Sequence, residues 1–127
     1  MEIPKYIDEP KPGVRDSIRK WEWLLKCLEK GDIFVFNKRY ERKCGLCVES
    51  SGGSMVSTCH CNQCRFPGPR SEYYRCTGHN REIKVGLRIK LHHGDKLTKK
   101  EYTRLVIVCN NMLNALRSIK DGKDNLC

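Results

Sequence analysis

Two stretches of the chain place their apolar residues at steps of three and four, the spacing that lines one face of a helix. In residues 14–30 these are Ile18, Trp21, Leu24, Leu25 and Leu28, with Gly31 following as a stop. In residues 98–121 they are Tyr102, Leu105, Val106, Cys109, Met112, Leu113 and Leu116. Thr98 and Glu101 open the second stretch as a capping box, in which hydroxyl and carboxylate satisfy backbone donors of the first turn. Two other segments read as strands. Residues 32–36 (DIFVF) are β-branched and aromatic. Residues 82–91 (EIKVGLRIKL) alternate, with Ile83, Val85, Leu87, Ile89 and Leu91 on one side and Lys84, Arg88 and Lys90 on the other.

The pattern predicts an α+β fold in the order helix, strand, zinc module, strand, helix. A single small domain spans residues 14–121 and carries the zinc-stabilised module at residues 44–79. Residues 1–13, with three prolines among charges, are expected to form an irregular arm that buries no core, and residues 122–127 a polar tail behind Gly122. Trp21 is expected in the core. Trp23 lies off the main stripe and is open to two readings, packing or contact with a partner.

The middle segment carries the chemistry. Six of the nine cysteines and two of the four histidines fall within residues 44–79. Cys44 and Cys47 form one CxxC and Cys61 and Cys64 a second; each such turn aims two thiolates at one point, and two turns complete the tetrahedral shell that zinc prefers. Cys59, His60, Cys76 and His79 remain as donors, Cys76 and His79 as a CxxH pair, so two zinc ions are expected. Two pairings are open. In one, Cys44, Cys47, Cys61 and Cys64 share an ion and Cys59, His60, Cys76 and His79 share the other. In the second, Cys59 and Cys64 close the first shell and Cys61 joins the second. Cys27 and Cys109 lie on helix stripes and read as small core residues.

Catalysis is not expected. Neither HExxH nor the deaminase HxE with a later PCxxC is present, so no general base is placed beside an open metal position. A thioredoxin-like dithiol is disfavoured because neither CxxC is followed by a helical pattern.

Charge then indicates a partner. The formal net charge is +10, and within residues 38–90 eleven bases oppose four acids, so the module and its neighbouring segment hold +7 of it. Lys38, Arg39, Arg42 and Lys43 precede the first ligand; Arg65, Arg70, Arg75, Arg81, Lys84, Arg88 and Lys90 follow it. Such a concentration favours a polyanion, with RNA expected before DNA. Tyr73 and Tyr74 stand among the arginines, where rings stack on unpaired bases or pack against the metal turns.

The segment RYERKCGLC followed by STCHCNQCRFPG resembles the cysteine-rich nucleic-acid-binding proteins of carlaviruses and related filamentous plant RNA viruses. Those proteins carry a basic run, C-x2-C, about a dozen residues, C-x4-C and a nearby Pro-Gly. Here Cys44, Cys47, Cys59 and Cys64 are followed by Pro67 and Gly68. The resemblance covers about residues 38–71. It implies a viral protein that binds single- and double-stranded nucleic acid, as a rule suppresses host RNA silencing, and works in the host cytoplasm, with some members of the family entering the nucleus.

The rival expectation is a zinc-dependent adaptor that docks a host protein through the helix stripe and Trp23. Its ligand order resembles that of RING modules, but Cys59, His60 and Cys61 are contiguous where a RING separates them. With acids near the start and no apolar run behind them, the chain is expected not to be secreted, and no stretch approaches the ~20 apolar residues of a membrane span.

Overall fold

Arg15, Arg19, Glu22, Lys26 and Glu29 recur at helical steps, all are exposed, and they are the solvent face of a helix buried on its remaining sides. The computed structural model that shows this describes residues 2–50, 77–87 and 96–119. Its elements are α1 (Lys5–Asp8), α2 (Val14–Glu29), α3 (Ile33–Arg39), α4 (Gly45–Ser50), α5 (Thr77–Leu87) and α6 (Lys99–Arg117). Helix α2 is central and packs against α1, α3, α4 and α6, while α5 packs on α6. Trp21, Leu24, Cys27 and Leu28 of α2 meet Leu105, Cys109, Met112, Leu113 and Leu116 of α6 in one buried cluster. An exposed ion pair, Arg117 Nη2 to Glu22 Oε2 at 2.9 Å, ties the two helices at the rim.

The ends of these helices follow from local chemistry. The backbone N–H of Glu101 donates to Thr98 Oγ1 at 3.1 Å and the N–H of Thr98 to Glu101 Oε1 at 2.9 Å, so the capping box is formed. Gly31 takes φ 76°, a left-handed conformation open to glycine, and turns the chain out of α2.

The α+β expectation is overturned: among the described residues there is no strand. Residues 32–36 lie in and before α3. Asp32 Oδ1 accepts the Val35 N–H at 3.2 Å as an N-cap, and Ile33, Phe36 and Tyr40, spaced three and four apart, are buried together. Cap and core override the β propensity of the segment. The predicted strand at residues 82–91 fails for the same reason over its described part. Ile83 and Leu87 are four apart, point from α5 into the core, and are 0% and 1% exposed, whereas Val85 between them is 53% exposed. Residues 88–91 lie outside the described residues.

Two smaller readings also change, and Trp23 takes the packing one of its two. The arm at residues 1–13 contains the turn α1, and Ile7 on it is buried in the core. Trp23 is buried at 5% exposure, because α2 is covered on more than one face. Helix α6 ends at Arg117, with Ser118 as its cap; the expected stop at Gly122 lies outside the described residues.

Candidate metal centre

The first CxxC is fixed by its fit against α2. The Gly13 N–H donates to the Gly45 carbonyl at 3.0 Å, and the Leu46 N–H donates to Ser17 Oγ at 2.9 Å. A Cβ at position 45 would collide with the carbonyl oxygens of Gly13 and Lys11, so the residue between the cysteines must be glycine for α4 to sit this close. The Val48 N–H donates to the Cys44 carbonyl at 3.0 Å and closes the turn. Cys44 and Cys47 are part-buried free thiols.

Their electrostatics suit thiolate chemistry. A hydrogen bond from the Cys47 thiol holds Cys44 well below the ordinary thiol range. Burial opposes this, and the Lys20 ammonium and the Ser17 hydroxyl reinforce it. Lys20 is itself 3% exposed, and its Nζ donates to the carbonyls of Tyr40, at 2.9 Å, and Arg42. One buried cation therefore satisfies the carbonyls that follow α3 and faces the first cysteine. An ammonium placed there offsets the negative charge that a pair of metal-bound thiolates would bring.

The other ligand candidates divide between described and undescribed residues. His79 lies on α5, part-buried, and burial lowers its pKa against the raising influence of Glu82, which favours the neutral imidazole that ligates metals. It does not join Cys44 and Cys47: among the described residues no three His, Cys, Asp or Glu side chains come together as a metal group. Cys59, His60, Cys61, Cys64 and Cys76 lie outside the described residues. The ground on which a dithiol redox site was set aside changes, since the short helix α4 does follow Cys44. Cys27 and Cys109 are fully buried, and burial pushes both thiols up to about 12, as inert core cysteines.

The basic residues also divide. Arg42 Nη1 lies 3.1 Å and Arg39 Nε 3.4 Å from the same Asp8 Oδ1, and Lys84 Nζ lies 3.4 Å from Glu41 Oε2. The Arg39 contact lacks hydrogen-bond geometry, so its buried Nε has no hydrogen-bond acceptor. Lys38 extends over the Phe34 ring at 5.0 Å, and Arg81 is exposed. Lys43 is part-buried beside Cys44 in sequence. Arg65, Arg70, Tyr73, Tyr74, Arg75, Arg88 and Lys90 lie outside the described residues. Sequence reading did not find Asp8, which partly neutralises two of the proposed phosphate contacts; it stands more than thirty residues upstream, in a segment read as irregular.

Among the described residues no helix is long and apolar enough to cross a membrane. The chain matches no protein-family model, no curated protein and no solved structure.

Proposed function

We propose that this chain is a zinc-stabilised basic protein that binds nucleic acid, RNA before DNA. Following its resemblance to the carlavirus proteins, its role is that of a viral suppressor of host RNA silencing in the cytoplasm and nucleus. The supporting observation is the seating of Cys44 and Cys47: two thiols in one turn, hydrogen-bonded to each other and locked onto α2 through Ser17 and Gly13. Zinc held there, with donors from residues 59–79, would give the segment between the helices its shape and fix its cations on one surface. No catalytic step is part of this reading. The adaptor alternative loses the docking residue assigned to it, because Trp23 is buried.

Native mass spectrometry of protein expressed with zinc, with and without a defined RNA, tests both halves. Two zinc ions per chain and a salt-sensitive RNA complex are expected. Cys44→Ser should lower the metal count; Arg65→Glu, Arg70→Glu and Arg75→Glu together should abolish RNA retention at an unchanged metal count. Metal-free protein that is fully ordered across residues 44–79, or that joins those thiols to one another, would sink the reading.

One observation favours a second reading. A CxxC opening a helix with a cation beside its first thiol is also the arrangement of a dithiol reductant, in which Cys44 and Cys47 pass two electrons and two protons to a disulfide partner and become a disulfide themselves. Metal-free protein that neither reduces insulin disulfides nor forms the Cys44–Cys47 disulfide in a glutathione buffer excludes it.

A further inference from the structure

Among the described residues, part of the cationic group singled out between residues 38 and 90 is already engaged. Of that group, Arg39, Arg42 and Lys84 sit against carboxylates. Lys99, Lys100 and Arg104 on α6 are exposed, and among the described residues no carboxylate lies within ion-pair distance of them. Their placement carries a local cost: Lys99 and Lys100 occupy the first two positions of α6, where a helix disfavours positive charge. Glu101 in the same turn offsets part of this cost, and among the described residues no ion pair offsets the rest; such a broken local rule points to a functional surface.

The shape beside these cations is concave on two sides. An open groove of about 550 Å³ between α5 and α6 is lined by Lys99, Lys100, Arg104 and Ile107 together with one carboxylate, Glu82. A second groove of about 520 Å³, toward the end of α2, is lined by Lys30, Lys96, Lys99 and Tyr102 together with one carboxylate, Glu29. Lys99 borders both. Tyr102 and Ile107 are 37% and 54% exposed. Five residues apart, they point about 140° from each other around the helix, so they form no single stripe for an amphipathic partner helix. Around the helix Ile107 falls among Lys99, Lys100 and Arg104 in the first groove, and Tyr102 lies on the far side of Lys99 in the second. An exposed aromatic ring beside Lys99, with Lys30 and Lys96 across the second groove and Lys100 and Arg104 around the helix, offers an unpaired nucleic-acid strand one stacking surface and phosphate contacts on either side of Lys99.

We propose that this surface of α6 binds single-stranded RNA, with Lys99, Lys100 and Arg104 on phosphates and the Tyr102 ring beneath a base. The inference rests on the RNA-binding reading above and assigns it a surface outside the zinc module.

The test is fluorescence anisotropy of the full zinc-loaded chain with a labelled oligouridylate of about 20 nucleotides, from about 50 to 250 mM salt. Lys99→Glu, Lys100→Glu and Arg104→Glu together should weaken binding at least tenfold and reduce the log–log salt slope by about 2, at about 0.7 per phosphate contact for a single strand. Tyr102→Ala should weaken binding roughly tenfold with the slope unchanged, and Tyr102→Phe should bind as the parent. If the triple reversal loses helicity by circular dichroism, Lys99→Gln with Lys100→Gln, which removes charge without adding repulsion, should lower the slope by about 1.4. A parent chain that retains no RNA overturns both this inference and the RNA-binding reading. A parent that binds while all α6 variants stay within twofold, with the same slope, overturns this inference alone. So does a labelled acidic amphipathic peptide whose binding the reversal abolishes while RNA binding is untouched.

Discussion

Lys20→Met isolates the buried cation that joins α2, the end of α3 and the first cysteine. Methionine keeps the apolar stem and removes the ammonium, leaving the Tyr40 and Arg42 carbonyls without their donor. A buried acceptor stripped of its partner costs about 1–3 kcal/mol. The Tyr40 bond is buried and takes the middle of that range; the Arg42 bond is part-buried, reaches water more easily and takes the low end. Relief from desolvating an ammonium returns part of the sum, which leaves a net loss of about 2–3 kcal/mol. Urea unfolding followed by far-ultraviolet circular dichroism, with a chelator present so that metal does not contribute, should show a lower midpoint at an unchanged slope. On heating, the same loss corresponds to a Tm lower by about 8–12 °C. The control is Lys26→Met on the exposed face of α2, expected within about 0.5 kcal/mol of the parent. A Lys20→Met chain as stable as that control, or more stable than the parent, would mean that burying the ammonium costs as much as its bonds return. The clamp would then not hold the fold.

Gly45→Ala should destabilise the chain by about 2–3 kcal/mol and weaken zinc retention, because its methyl group meets backbone oxygen of Gly13 and Lys11 rather than a side chain that can move; competition with a zinc indicator measures the second effect. Thr98→Ala removes one half of the capping box and should cost about 1 kcal/mol in the same urea assay. Burial pushes Cys27, Cys109 and Tyr40 each up to about 12, with Asp32 adding to the rise at Cys27 and Glu41 to that at Tyr40. Their unfolded values lie lower, near 8.5 for the thiols and 10 for the phenol, so the stability they lend is complete below those values and is lost as pH climbs from about 9 toward 12. Urea midpoints across that window should fall. Alkylation of Cys27 or Cys109 in folded protein at about pH 8 would contradict the burial that causes the shift.

The two long helices were legible in the sequence because their signals are redundant. In α6 the capping box and the apolar stripe agree, and in α2 the apolar stripe and the glycine stop agree. The short helices were not, because each carries a pattern with two meanings. Alternating Ile83, Val85 and Leu87 contain a helical pair at both ends, and only packing on α6 decides that Val85 faces water. In the DIFVF segment β propensity masks Asp32 as a cap and the three-and-four spacing that continues to Tyr40. The CxxC at Cys44 and Cys47 was found from spacing alone. Its partners in the fold, Ser17 and Lys20, were not, because a buried serine and a buried lysine on an amphipathic helix read as ordinary polar positions until a second element is laid against them. The paired state of Arg39 and Arg42 was hidden likewise, since counting charge along a sequence takes no account of a distant carboxylate.

The contact between α2 and α6 joins the two ends of the described core, with every other described helix except α1 lying between them in the chain. Once these helices meet, the intervening polypeptide is a closed loop, and the entropy of closure grows only with the logarithm of its length. Doubling the loop adds about 0.6 kcal/mol. Residues inserted between α4 and α5 therefore add little to the cost of bringing α2 and α6 together, whereas changes within α3, α4 or α5, whose Phe36, Leu46 and Ile83 are buried in the same core, strike the frame itself.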